Sequence, residues 1–473
     1  MRRNKFDYKY IIAMNDLVWL LFSFFLGNYI LYLVVDDFSL YLRPDEWGER
    51  FFLSLSLSII GVLWFWLRLR HYTYRKPFWF ELKEVLRTLF IISIIEISII
   101  GFSKLYLSRY LWLSSWLCAF LIVPLARILL KKWLISSGRY LKKTIIIGGG
   151  QNAIDAYYAL KSESYLGLDV KYFLSSHPSD ELYNLGVPIL QDAQQGIWTL
   201  VSNPYDQFII ALEENENTER DYWLRYLSKY RYRSVSVIPS LRGLPLYSTD
   251  MSFLFSYDVM LLRINNNLAK RSSRIIKRTA DIVLSLMALT FLSPLFIILF
   301  LLIKRDGGDA IYGHKRIGQN GKPFYCLKFR TMVLNSQEVL DELLMNDSDA
   351  KKEWQKDFKL KNDPRITPIG HKLRQSSLDE LPQLWNVLKG EMSLVGPRPV
   401  VKEELARYHE EVDYYLMAKP GMTGLWQISG RSNVDYDKRV YFDSWYVKNW
   451  SLWNDIAILF KTLRKVFSQE GAY

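Results

Sequence analysis

Two adjacent carboxylates, Asp379 and Glu380, stand in the segment Arg374-Gln375-Ser376-Ser377-Leu378-Asp379-Glu380-Leu381-Pro382-Gln383-Leu384, and further dense motifs flank it. These are Lys328-Phe329-Arg330-Thr331-Met332, Asp363-Pro364-Arg365-Ile366-Thr367, Gly396-Pro397-Arg398-Pro399, Lys419-Pro420-Gly421-Met422-Thr423-Gly424 and the run from Tyr441 to Val447. The mixture suits phosphoryl transfer. A diphosphate donor repels an attacking carboxylate unless cations screen it. Lys328, Arg330, Arg365, Arg374 and Arg398 are the candidates, arginine matching phosphate oxygens two at a time. A divalent ion would add screening and polarise the leaving phosphate. The same cations are expected to hold the nucleophile's pKa low and keep it ionised. Asp379 could then form an acyl-phosphate, which splits one hard displacement into two easier ones. A plainer reading is also open. Ser377 to Glu380 fits a helix capping box with Asp379 as a first-turn acid, Arg374 could be a surface ion-pair partner, and residues 396–399 a rigid turn.

Such chemistry needs elements that hold it in place, and the chain upstream supplies membrane segments. Residues 279–303 are apolar and long enough to cross a bilayer as a helix, yet Lys270, Arg271, Arg274, Lys277 and Arg278 precede the run and Lys304 and Arg305 follow it. Both ends therefore favour the cytoplasm. Ser293-Pro294 falls near the middle, where proline removes a backbone hydrogen bond and Ser293 is placed to satisfy the carbonyl left behind. The expectation is a re-entrant hairpin of helix, break and helix, not a plain span. Four further apolar stretches, near 10–35, 51–69, 88–107 and 109–130, have the length of spanning helices. Arg2, Arg3, Lys5 and Lys9 precede the first, and the loop after it is acidic, with Asp36, Asp37, Asp45, Glu46 and Glu49 against Arg43 and Arg50. The next loop is basic again through Arg68, Arg70, Arg75, Lys76, Lys83 and Arg87, and Arg127, Lys131, Lys132, Arg139, Lys142 and Lys143 are read as following the fourth span. Both ends of this module are thus expected in the cytoplasm, with the part of the chain that follows on the cytoplasmic face of the membrane. Glu96 lies inside the third stretch. It reads either as part of an ion pathway or, preferably since no partner charge accompanies it, as a hydrogen-bonded helix contact.

Residues 143–150, Lys-Thr-Ile-Ile-Ile-Gly-Gly-Gly, read as a buried strand running into a glycine turn, with a helix from Asn152 to Ser162. Strand-like runs follow at Val170–Leu174, Gln207–Ala211 and Ser234–Ile238, which argues a small parallel α/β domain. Gly148, Gly150 and Ala153 match a dinucleotide fingerprint, but the second strand ends Phe173-Leu174-Ser175-Ser176 without the carboxylate that would bind a ribose. A tight packing turn is the alternative. The fold class expected is a multi-domain membrane protein. It comprises a four-helix transmembrane module (1–141), a Rossmann-like α/β domain (142–265) and a mainly α monotopic catalytic domain (266–473) with the re-entrant membrane helix. A length of 473 residues, 50% hydrophobic residues and 15% aromatics fit that plan. The net charge of +13 is better explained by anionic lipid headgroups than by nucleic acid, which is not expected as a partner. Two cysteines, Cys118 and Cys326, form no metal or redox spacing, and the N-terminus shows no cleavable signal.

Taken together, residues 379–384, 396–399 and 419–424 make the chain resemble the polyprenyl-phosphate hexose-1-phosphate transferases, bacterial initiators of glycan assembly, in their large multi-domain form. The resemblance implies that Asp379 takes hexose-1-phosphate, expected to be galactose-1-phosphate, from a UDP-sugar. It further implies that undecaprenyl phosphate attacks the phosphosugar-enzyme after UMP has left, in a ping-pong sequence that begins O-antigen or capsule synthesis. Glu380 would bind Mg2+ or handle the acceptor proton, and Lys328, Arg374 and Arg398 would grip phosphates. Asp443 would be a further polar site residue near the metal, Ser293-Pro294 the helix break, and large members would be homodimers. A UDP-glucose-specific member is the alternative. Two readings from other classes stay open: a non-catalytic scaffold sensing a nucleotide through residues 142–250, and a four-span transporter using Glu96.

Overall fold

Apolar segments that leave no water for their backbone groups close their hydrogen bonds internally, as helices. In Met1–Arg242, the first of two units into which the chain divides, four of them do so. They are α1 (Tyr8–Val34), α2 (Trp47–Leu63), α3 (Phe78–Phe102) and α4 (Arg109–Ser136). The structure is a computed structural model and describes residues 8–103, 105–106, 108–191, 207–230, 232, 234–240, 249–254, 259–264, 267–305, 307–347, 363–429 and 435–468. Arg2, Arg3 and Lys5 of the basic N-terminal segment lie outside them.

Helices α3 and α4 exceed the stretches expected for them, because their charges find partners inside the bundle. Arg127 of α4 donates through Nε to Asp16 at 3.1 Å, through Nη2 to the other Asp16 oxygen and through Nη1 to Glu81 at 3.1 Å. Lys131 donates to Glu81 at 2.5 Å, and the Arg127 guanidinium lies 4.7 Å from the Phe65 ring centre. Arg127 and Lys131 are therefore interior helix residues, not the loop cations they were expected to be. Glu96 accepts a hydrogen bond from the Trp116 indole of α4, the arrangement of a helix contact.

The rest of this unit is a five-stranded parallel sheet in the order β3-β2-β1-β4-β5. Its strands are β1 (Lys142–Ile147), β2 (Leu168–Leu174), β3 (Ile189–Leu190), β4 (Gln207–Ile210) and β5 (Val235–Val237). The second half of β1, Ile145–Ile147, is uniformly apolar because both its faces are covered. Ile145 and Ile147 pack with Trp223 and Leu227 of α6 (Asn217–Lys229), while Ile146 packs with Ala153 and Ile154 of α5 (Gln151–Ser162). Gly148, at φ +142°, passes so close to β4 that a Cβ would stand 2.3 Å from the Ala211 carbonyl. The place a pyrophosphate would take at the start of α5 is filled by this chain's own carboxylate, since Glu213 Oε1 accepts the Asn152 amide at 2.7 Å. That geometry is the packing turn.

The second unit, Gly243–Tyr473, begins with the antiparallel strands β6 (Thr249–Leu254) and β7 (Val259–Ile264), then α7 (Arg271–Lys304). Helix α7 is a single helical element of 34 residues containing Pro294. No non-helical segment parts it into two, which differs from the helix, break and helix expected. Ser293 explains how the helix tolerates proline: its hydroxyl donates at 2.8 Å to the Thr290 carbonyl, the acceptor orphaned by Pro294. A hairpin of β8 (Ile311–Ile317) and β9 (Pro323–Phe329) follows, then α8 (Pro368–Ser376) and α9 (Gln383–Lys389). Strand β10 (Ser393–Val395) pairs in parallel with β11 (Gly421–Thr423), and α10 (Leu425–Ser429), α11 (Tyr436–Lys448) and α12 (Leu452–Ser468) close the described chain. Both ends of α7 pack on this one body. Near its start Arg278 donates to the last carbonyls of α9, Val387 at 2.5 Å and Leu388 at 2.6 Å, and near its end Leu299 and Ile303 bury against Phe329 and Leu373. Between them the apolar helix is exposed, Phe291 at 84%.

Candidate active site

Strand β9, the α8 terminus and two loops carry the motifs to one place. Asn386 of α9, fully buried, accepts the Leu327 amide at 3.0 Å and donates to the Tyr325 carbonyl at 2.8 Å. It thereby fixes the strand immediately before Lys328. Helix α8 ends at Ser377 in the left-handed conformation (φ 58°, ψ 19°), and Leu378–Glu380 form a single 3-10 turn. Ser377 makes no side-chain cap bond there, so the capping-box reading of Ser377 and Glu380 is not realised. The glycines of residues 396–399 and 419–424 let two backbones touch: a Cβ on Gly421 would stand 2.1 Å from the Gly396 nitrogen. That contact, with Gly396 N donating to Thr423 O at 2.9 Å, sets the turn that presents Arg398.

These elements enclose a cavity of 430 Å3 whose walls include Lys328, Arg374, Asp379, Glu380 and Arg398. Lys328 Nζ lies 2.7 Å from Glu380 Oε1 and 3.6 Å from Asp379 Oδ2. Arg374 is held by a 3.0 Å bond from Nε to the Thr331 hydroxyl. Burial would lower the Lys328 pKa, but Glu380 and Asp379 outweigh it and keep the ammonium firmly charged. For Asp379 the sequence expectation is reversed. Burial pushes its pKa above the usual carboxylate value and neighbouring Glu380 adds to this, while Lys328 and Arg374 offset only part. A half-desolvated carboxylate beside cations is a stronger nucleophile than a solvated one, provided the pH keeps it ionised.

Not every residue singled out in the sequence arrives here. Arg330 turns away and donates to the Asp309 carbonyl at 2.8 Å and to the Ile303 carbonyl at 3.1 Å, tying down the end of α7. Arg365 is buried and locked to Asp363 by bonds of 2.8 and 2.7 Å. Asp443 is buried behind the wall, accepting from the Tyr408 hydroxyl at 2.8 Å, its pKa pushed up to about 7 by burial against the partial offset of that bond and of Arg398. Ser293 and Pro294 belong to α7 and do not line the cavity. Among the described residues no group of three or more His, Cys, Asp and Glu is assembled to hold a metal. Mg2+, however, is commonly held by one or two carboxylates completed by phosphate oxygens and water. Asp379 and Glu380 fit that requirement, whereas Asp443 does not face the cavity.

Sequence reasoning missed other members of the wall, notably Arg316, Trp426, Arg439 and Lys465. The Arg398 and Arg439 guanidinium groups each stand 5.3 Å from the centre of the Trp426 ring, a cation–π pairing that steadies both cations at the rim. Spacing gave no sign of it, since the three residues come from separate segments.

Comparison with known proteins agrees with this geometry. Residues 272–469 match the family described as bacterial sugar transferase. The chain is 59% identical to an uncharacterized sugar transferase of Haemophilus influenzae, over 98% of each chain. It is 56% identical to the undecaprenyl-phosphate galactose phosphotransferase of Salmonella typhimurium, over 98% of this chain and 97% of that one. With a UDP-galactose-lipid carrier transferase of Erwinia amylovora the identity is 53% over the full length of both.

Proposed function

Because the chain belongs to the bacterial sugar transferase family, we propose that it transfers hexose-1-phosphate, galactose-1-phosphate foremost, from a UDP-sugar to undecaprenyl phosphate. The observation that carries the reading is Asp379. This carboxylate is 13% exposed, 3.6 Å from Lys328, in a cavity also walled by Arg374 and Arg398. In the first half-reaction an ionised Asp379 oxygen bonds to the phosphorus that bears the sugar. The bond from that phosphorus to the bridging oxygen breaks, and UMP leaves with the electron pair. In the second, a phosphate oxygen of the lipid attacks the same phosphorus, the acyl-phosphate bond breaks, and Asp379 returns as a carboxylate. Lys328, Arg374 and Arg398 screen the diphosphate and the developing charge. Glu380 positions Lys328 through their 2.7 Å contact. Mg2+, held by Asp379 or Glu380 with phosphate oxygens, would polarise the leaving phosphate.

The membrane arrangement follows. Helices α1 to α4 are long and apolar enough to cross a bilayer and would do so, with both ends of their module in the cytoplasm. Helix α7 at 34 residues would be about 51 Å long if straight, against roughly 30 Å of hydrocarbon. Both its ends pack on one body, which supports a helix bent at Pro294 that enters and leaves by the cytoplasmic face. The test is UMP release from UDP-galactose with Mg2+, with and without undecaprenyl phosphate, for wild type and Asp379→Asn, and with UDP-glucose as competing donor. Acceptor-dependent release that vanishes in the variant is expected. Full activity of Asp379→Asn would refute the covalent route, and preference for UDP-glucose would change the sugar.

A further inference from the structure

A second cavity, of 590 Å3, lies between the first half of α7 and α12. Its walls are Ile276, Ala280, Val283 and Leu284 from α7, with Ile456 and Leu459 from α12. The charged residues at its floor are already satisfied. Lys277 is paired with Asp455 at 2.8 Å and donates to the Val395 carbonyl at 3.0 Å, while Asp281 accepts from the Ser393 hydroxyl and the Leu394 amide, each at 3.0 Å. What is left to offer is hydrocarbon contact, in a volume within the roughly 300–1,000 Å3 of small-molecule sites.

Two stretches of chain run from this groove directly into the catalytic cavity. Leu394 and Val395 line the groove and Arg398 and Pro399, just beyond them, line the cavity. On α12, Ile456 and Leu459 line the groove and Thr462 and Lys465 the cavity, so that one helix passes from one to the other within about 9 Å. Where these stretches reach the catalytic cavity, its wall carries Thr423 and Thr462, whose hydroxyls are hydrogen-bonded to each other at 2.7 Å. An apolar slot whose walls lead along the chain to Arg398 and Lys465 matches an amphiphile with one phosphate head and a long hydrocarbon tail.

We propose that the groove between α7 and α12 holds the isoprenoid chain of the lipid acceptor and directs its phosphate past Thr423 and Thr462 toward Asp379. The inference rests on the transfer reaction proposed above and adds where that acceptor lies.

Full-length protein in nanodiscs decides it, with Ala280→Trp and Ile456→Trp filling the groove. The apparent KM for undecaprenyl phosphate should rise about tenfold, as expected for loss of roughly two buried methylene contacts. The acceptor-free burst of UMP should keep its size, which shows that the variants fold. In parallel, a farnesyl phosphate carrying a terminal diazirine should label residues 275–284 and 452–459 of wild type. Undecaprenyl phosphate should compete with the label and phosphatidylglycerol should not. An unchanged KM with an intact burst, or labelling displaced equally by phosphatidylglycerol, overturns the proposal, the second because the groove then takes ordinary acyl chains. If the burst is lost in the variants, the labelling of wild type decides. Absence of any acceptor-dependent UMP release by wild type would instead count against the transferase reading, and the labelling would still report on the groove.

Discussion

Replacing Lys328 by methionine tests the electrostatics of the site most directly. Its Nζ stands 3.6 Å from Asp379 Oδ2. A unit charge pair at that separation is worth about 1.2 kcal/mol at the permittivity of water and about 4.6 kcal/mol at an effective value near 20. The Asp379 side chain is 13% exposed and that of Lys328 28%, so solvent screens part of the attraction. A value of about 2 kcal/mol lies between the limits. At about 1.4 kcal/mol per pKa unit, Lys328→Met should raise the Asp379 pKa by about 1.5. Loss of the cation disfavours the ionised form, so the nucleophile appears only at higher pH. The acid limb of the second-order rate constant for the acceptor-free burst of UMP should therefore move up by about 1 to 2 pH units, since that constant reports the free enzyme. Glu380→Gln removes the like charge beside Asp379 and should move the limb the other way, with the double variant between. An acid limb that stays in place in Lys328→Met, with only the plateau lowered, would show that Lys328 serves the phosphates and not the carboxylate.

Two further outcomes concern stability. Asp443 has its folded pKa pushed up to about 7, above the roughly 3.9 of an unfolded aspartate, so the stability it contributes is full below about pH 4 and lost as pH rises through 7. Asp443→Asn cannot ionise, and its melting temperature in detergent should decline less than that of wild type across this window; equal slopes would contradict the burial assigned to it. In the first unit, Arg127→Met leaves Asp16 and Glu81 without their shared partner and should cost about 3–5 kcal/mol, seen as a lower melting temperature that Asp16→Asn partly restores. A variant as stable as wild type would mean that the network carries no net stabilisation.

Much of the fold was legible because it depends on periodicity and local chemistry. Apolar stretches of span length became helices since nothing else satisfies a backbone without water, and the isoleucine run of β1 became a central strand since both its faces are covered. Helix limits were less legible. The charges of Glu81, Arg127 and Lys131 look like loop signals in sequence, and only their mutual pairing makes them tolerable inside a helix bundle. The glycine fingerprint was similarly incomplete as evidence, because the anion that occupies the α5 terminus comes from Glu213, many residues away.

By itself, then, the sequence determined the chemical vocabulary of the site: a carboxylate pair in a short segment, an excess of arginine and lysine around it, and glycine motifs where backbones must touch. Those are properties of residue type and near-neighbour spacing. Which cations serve the cavity was decided only by tertiary structure. Arg330 and Arg374 are indistinguishable as letters, yet one meets the Ile303 carbonyl of α7 and the other the Thr331 hydroxyl at the cavity wall. A long, flexible side chain goes to whichever acceptor the fold brings within reach, and that acceptor lies far along the chain. The pKa of Asp379 has the same origin: nearby cations predict a low value, but desolvation is set by the packing of β9, α8 and the residue 396–399 turn, and it prevails.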